Sequence, residues 1–97
     1  MNLGPDETDL IGSWRMVDGA VDADATARRI DLLVRTQLQR LGSDPSGWDT
    51  LFRDPIDERL WELTYPAGDT QGGGPPRLTC LSAESARRKY GGIVDAR

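Results

Sequence analysis

Apolar residues recur most regularly between positions 30 and 41. Ile30, Leu33, Val34, Leu38 and Leu41 fall at i, i+3, i+4, i+8 and i+11, which is one stripe of an α-helix. The spacing predicts a helix over residues 25–41. Asp24 or Thr26 can cap its start, and Asp22 and Asp24 sit near the positive end of its dipole. Asp31 and Arg35 add an (i, i+4) pair, and Arg40 lies near the negative end. Gly42 can take the left-handed conformation that ends such a helix.

Beyond it the period falls to two. Trp48–Arg53 and Arg59–Tyr65 read as the arms of a hairpin, with Asp54-Pro55-Ile56-Asp57-Glu58 as the turn, since Pro55 cannot donate to a ladder. In the second arm Trp61, Leu63 and Tyr65 share one face and Leu60, Glu62 and Thr64 the other. The Trp61 face is expected on the long helix. Residues Pro66 to Pro76 form a loop by composition, and Arg77–Leu81 a third strand. Ser82 caps a short helix running to about Tyr90, where Gly91 and Gly92 stop it. Ile11, Trp14 and Val17, three apart, fit a short helix or an irregular strand. Residues 1–9 read as a loose lead-in and 93–97 as a tail. The expected fold is therefore α+β, in one domain over 1–97. A small antiparallel sheet, the hairpin plus one further strand, packs against one long amphipathic helix, with a short C-terminal helix beside it.

Size makes each large apolar residue matter. A chain of 97 residues buries only about two-thirds of its extended surface, so most of Trp14, Trp48 and Trp61 are expected in the core, with an interface anchor as the alternative at each. No apolar run approaches the roughly 20 residues that cross a bilayer, and the first residues are acidic where a signal peptide is basic. A cytoplasmic protein with no membrane partner is the expectation. Cys80 is the single cysteine and faces inward as a small apolar side chain. Histidine is absent, which removes His-based triads, His general bases and imidazole zinc sites. No catalytic residue, cofactor site or metal site is expected.

Net charge is −4 and unevenly spread. Residues 1–31 hold seven acids against three bases, while the remainder carries nine of each. A negative field opposes nucleic-acid binding and favours encounter with a basic protein. Arg87-Arg88-Lys89 falls at the end of the last helix, where the dipole favours cations, and reads as a solvated face.

Two stretches invite sharper readings. Gly72-Gly73-Gly74 can approach a ligand closely, but Pro75 and Pro76 remove two donors and a strand follows, so a phosphate cradle fails its context test. A shaped recognition loop or a plain crossover remains. Asp54, Asp57, Glu58 and Glu62 cluster at the hairpin turn. They could bind a divalent ion in a small carboxylate-dependent hydrolase, yet Asp in turns is also ordinary turn chemistry.

Several runs carry a family resemblance. Leu51-Phe52-Arg53-Asp54-Pro55, Asp57, Trp61-Glu62-Leu63-Thr64-Tyr65-Pro66 and Gly72-Gly73-Gly74-Pro75-Pro76-Arg77-Leu78 are similar to the immunity protein 27 family of bacterial polymorphic toxin systems. Ser82-Ala83-Glu84, Ala86 and Lys89-Tyr90 fit, as do Ile11-Gly12-Ser13-Trp14 and Arg29-Ile30, so nearly the whole chain is covered. The family pattern has Asp-Gly at 57 and 58, where this chain has Glu58, and an aromatic residue where this chain has Leu60. An Asp-Gly turn tolerates positive φ better than Asp-Glu, so the turn type is expected to differ. The resemblance implies a non-enzymatic protein that binds and neutralises a cognate toxin domain by direct contact. The acidic charge suits a basic toxin such as a nuclease. The contacts expected are Asp22 and Asp24, the tip with Asp54, Asp57 and Glu58, and the loop Gln71, Gly72, Gly73, Gly74 and Pro75. The alternatives are the carboxylate metal-dependent hydrolase and a regulatory or scaffold subunit unconnected with toxins.

Overall fold

In the computed structural model residues 3–66 and 74–95 are described. The chain forms β1 (Asp9–Ile11), β2 (Trp14–Val17), β3 (Ala20–Ala23), α1 (Ala25–Leu32), β4 (Gln39–Ser43), β5 (Thr50–Arg53), β6 (Leu60–Thr64), β7 (Arg77–Leu81) and α2 (Ala83–Tyr90). A π-helical turn, Leu33–Gln37, follows α1, and a 3-10 turn, Gly91–Asp95, follows α2. Five strands make one antiparallel sheet in the order β1-β7-β6-β5-β4, while among the described residues β2 and β3 pair only with each other.

Three expectations hold. The hairpin of β5 and β6 pairs Phe52 with Trp61 and Arg53 with Leu60. β7 spans Arg77–Leu81 as read from the alternation. Both helix caps form: the Asp24 carboxylate accepts from Ala27 N at 2.7 Å, and the Ser82 hydroxyl accepts from Ser85 N at 3.1 Å.

The expected architecture of one long helix on a three-stranded sheet is wrong. Regular α-helix ends at Leu32; after the π-turn Leu38 is extended, at φ −89° and ψ 144°, and the chain enters β4. Leu38 and Leu41 keep a spacing that suits a helix, but β5 would then be left with a bare edge, and pairing with it overrides the local pattern. Leu38 and Leu41, three apart, fall on opposite faces of the extended chain, and the register shift between Arg40 and Gly42 brings Gly42 to Leu41's side. Gly42, expected to end the helix, lies opposite Leu51, where a Cβ would come within 2.7 Å of Ile93 Cδ1. Arg40, expected near the helix end, bonds the Ser43 hydroxyl at 3.0 Å.

The sheet is covered on both faces. One cluster joins Ile30, Leu33 and Leu38 to Leu10, Phe52, Trp61, Leu63 and Leu78, so the Trp61 face does pack on α1. The other joins Leu51 and Leu60 to Ala86, Tyr90 and Val94, so α2 packs on the reverse. Helix, sheet and helix form three layers, which a single long helix on one face would not produce.

The segment before β1 is anchored. Leu3 is buried in the α1-side cluster. Arg29 bonds both Glu7 carboxylate oxygens at 2.6 Å, and Arg59 donates to Glu7 O at 2.5 Å and Gly4 O at 2.8 Å.

Candidate partner-binding surface

Antiparallel pairing brings particular loops to each end of the sheet. The row Ser43, Thr50, Leu63, Leu78, Leu10 marks one end. Beyond it lie the Asp44–Asp49 loop, Tyr65 after β6, Pro76 before β7, and Ile11, from which the chain runs into β2. Turn 54–58 closes the other end.

The first end gathers exposed apolar side chains. Ile11, Trp14, Met16, Val17, Val21, Trp48 and Tyr65 are all exposed there, whereas Ile56 stands at the opposite end. Trp48 is 75% exposed and Trp14 39%, against 0% for Trp61, so of the three tryptophans only Trp61 fills the core. Trp48 rides on a turn that bonds to itself. The Asp44 carboxylate accepts from the Ser46 hydroxyl at 2.8 and 2.9 Å and from Asp49 N at 3.2 Å, and Gly47 N reaches Asp44 O at 2.9 Å. The side chain is thus presented outward on an ordered loop.

β2 realises the irregular-strand alternative for the segment around Trp14, but its pairing with β3 is not in the expected fold. Asp18 and Gly19 have φ of 51° and 80°, the signature of a type I′ turn. Val17-Asp18-Gly19-Ala20 between alternating side chains was the signal available to find it. Register puts Trp14, Met16, Val21 and Ala23 on one face and Arg15, Val17, Ala20 and Asp22 on the other. Arg15 lies 3.6 Å and Arg28 2.5 Å from Asp22 across the second face. The Arg28 hydrogen bond holds the Asp22 carboxyl below its usual range. At the ribbon's base a recess of about 260 Å³ is lined by Trp14, Ala23, Ala27, Arg28, Asp31, Tyr65 and Pro76.

The contact residues expected from the sequence do not converge on one site. Asp22 is on the ribbon, and Asp24 caps α1 while also accepting from Ser13 N at 3.2 Å. Asp54 is buried, with its carboxylate accepting from Ile56 N at 2.9 Å. Asp57 accepts from Arg59 N at 3.0 Å and Nε at 2.6 Å, and Glu58 is exposed with φ +67°. Gln71, Gly72 and Gly73 lie outside the described residues. Gly74 is buried and Pro75 half-buried, and the next residue, Pro76, accepts from Gly12 N at 2.8 Å.

The carboxylates considered for a metal face different ways. Asp57 is tied to Arg59, whose guanidinium lies 4.9 Å from the Trp61 ring, on the α1 side. Glu62 is on the α2 side, accepting from the Tyr90 hydroxyl at 2.7 Å and pairing with Lys89 at 2.6 Å. Burial and that bond push the Tyr90 hydroxyl far above its usual range, so it stays a donor. Among the described residues no group of three or more His, Cys, Asp or Glu side chains is arranged to hold a metal ion. Each base of the Arg87-Arg88-Lys89 run has an acidic neighbour: Asp95 at 3.1 Å, Glu84 at 3.7 Å, and Asp49 and Glu62 at 2.6 Å. Cys80 packs half-buried against the α1-side cluster, and burial raises its thiol. No helix among the described residues is long and apolar enough to cross a membrane.

The family model described as Immunity protein 27 matches residues 16–82, more than half of the chain. Neither curated proteins nor solved structures yield a match.

Proposed function

Because the chain belongs to the immunity protein 27 family, we propose that it binds a cognate bacterial toxin domain and neutralises it by direct contact, in the cytoplasm of the cell that makes the toxin. It acts as a stoichiometric inhibitor and not as an enzyme. Family membership carries this reading, and the apolar side chains gathered at one end of the sheet support it, since such patches mark protein interfaces. The carboxylates of the rival hydrolase reading are divided between two faces of the sheet and held by Arg59, Lys89 and Tyr90.

Contact extends over the ribbon with Asp22, the α1 cap Asp24 at its base, the loop through Pro75, and exposed Trp48, a residue type enriched at binding hot spots. A cell that makes a toxin needs near-complete occupancy, so the complex is expected at nanomolar Kd or tighter, about −12 kcal/mol. The net charge of −4 favours a basic toxin, a nuclease being one such class.

The test is co-expression with the C-terminal domain encoded immediately upstream in the source genome. Growth should be restored, and calorimetry on the purified pair should give one-to-one binding. A neighbouring domain that is harmless alone, or that kills cells despite this protein, would reject the reading. So would turnover of a small substrate by clean material.

A further inference from the structure

Resting on the toxin-binding reading, we infer that the apolar face of the β2–β3 ribbon, with the recess at its base, is the seat of a basic partner polypeptide. The ribbon has two chemically distinct faces. Trp14, Met16, Val21 and Ala23 make one wholly apolar, and Met16 and Val21 are 67% and 64% exposed. The other is closed by the Arg15–Asp22–Arg28 chain of charges. That second face keeps Val17 and Ala20 near the tip, so the first is the larger and the wholly apolar one.

That side runs without a break into the recess, because Trp14 and Ala23 belong to both. Trp14, Tyr65, Pro76 and Ala27 surround a space for one bulky side chain, the arrangement of an anchor pocket beside a flat apolar strip. The ribbon is also pre-shaped. Its Asp18-Gly19 turn has the backbone that matches strand twist, so little ordering remains to be done on binding. Among the described residues the ribbon pairs with no third strand, and its apolar face stays uncovered. A partner covering its apolar face supplies the burial it lacks.

Charge selects the occupant. Ribbon and recess together carry Asp18, Asp22, Asp24 and Asp31 against Arg15 and Arg28, an acidic excess. Asp18, at the tip, joins no ion pair among the described residues. A second copy would bring the same acidic ribbon against itself. A polypeptide with an apolar centre and a lysine- or arginine-bearing rim meets both requirements.

The probe is the purified C-terminal domain encoded immediately upstream, titrated calorimetrically into the full chain. Met16→Lys combined with Val21→Lys should weaken binding by about a hundredfold or more, with an unchanged circular dichroism spectrum. Met16→Thr with Val21→Thr, which keeps strand propensity, should weaken it by about tenfold. Ile56→Lys, equally exposed at the opposite end, should stay within about threefold of wild type. Asp18→Lys should slow association at low salt, an effect that shrinks as salt is raised.

Binding by both folded ribbon variants within about threefold of wild type would overturn the assignment while leaving the toxin-binding reading standing. A wild-type dimer in sedimentation equilibrium that the Lys variant dissolves would also overturn it, in favour of a second copy. Wild type that fails to bind the upstream domain overturns the broader reading and this inference with it.

Discussion

The β2–β3 and β5–β6 hairpins are opposites. β2–β3 turns on Asp18-Gly19, with both residues at positive φ in the combination that type I′ geometry prefers, yet its strands are exposed along nearly their whole length. β5–β6 turns through Glu58 at φ +67°, an unfavourable place for a side chain, yet Leu51, Phe52, Leu60, Trp61, Glu62 and Leu63 are all buried. One has good local chemistry and little packing; the other has packing on both faces and a strained turn. Burial of a large side chain is worth several times a turn preference, so the strained hairpin forms the centre of the fold and the relaxed one can be left in solvent.

The largest test of this contrast is truncation in each environment. Trp61→Ala should lower unfolding free energy by about 3–5 kcal/mol, much of what a small domain possesses, because α1, β5 and β7 all lose the contact. Trp48→Ala should change it by less than about 0.5 kcal/mol. Urea titrations of both variants give the comparison directly. Equal effects would mean that the exposed tryptophan is packed in solution.

The strained hairpin also has ties outside the core, and these depend on pH. Arg29, with the Gly4 N–H at 2.6 Å, holds the Glu7 carboxyl down to about 2 from an ordinary value of 4.5. Arg59 then fastens Glu7 O and Gly4 O over the Trp61 side of the sheet. A depressed carboxyl contributes stability that is complete above its unfolded value and lost as pH falls through the folded one. The loss should fall between about pH 4.5 and pH 2. Its size is about 1 kcal/mol, discounted because the side chain remains 31% exposed. Glu7→Gln should flatten thermal midpoints over that window. An unchanged slope would place the acid sensitivity elsewhere.

What could be read from the sequence divides along the same line. The β5–β6 pairing, β7, the Asp24 and Ser82 caps and the Asp31–Arg35 pair, 2.5 Å apart, are local patterns, and each is present. The long helix failed where local and long-range demands conflict. Leu38 and Leu41 suit a helical stripe, but only the sheet can tell the chain that β5 needs a neighbour. The pairing of β1 with β7 joins Leu10 to Leu78, and no short-range signal announces it. Size alone favours the core for most of the three tryptophans, and only Trp61 is there. The turn Asp44-Pro45-Ser46-Gly47 before Trp48 pointed the other way. Among the candidate contacts, Asp54 was chosen for its charge, whereas its burial and its bond to Ile56 N give it to the turn.

A smaller effect probes whether the ribbon is energetically separate. Gly19→Ala places a Cβ at φ +80°, which should destabilise the ribbon by about 1 kcal/mol. Because Met16, Val17 and Val21 bury little, global unfolding should shift by less than about 0.5 kcal/mol. Amide exchange should show faster opening at residues 15–22 and unchanged protection in β5–β7. A global loss equal to the local one would show that the ribbon folds cooperatively with the sheet.

The smallest expected change concerns the other turn and has the opposite sign. Glu58→Gly restores the residue type of the family pattern at a backbone position with φ +67°. Relief of that strain should contribute about 1–2 kcal/mol. Against it stand the greater freedom of glycine in the unfolded chain, about 0.4–1 kcal/mol, and loss of the 3.4 Å pair with Arg53, worth only tenths because the Glu58 side chain is 58% exposed. The net gain should be about 0.5 kcal/mol, measurable as a higher urea midpoint at unchanged slope. A lower midpoint would reverse the ranking of the two terms. Arg53 is buried and bonds Val94 O at 2.6 Å, and in that case its charge would depend on Glu58 more than the exposure of the pair suggests. The strained residue would then belong to the packing of the α2 face, and the turn could not be restored to glycine without loosening it.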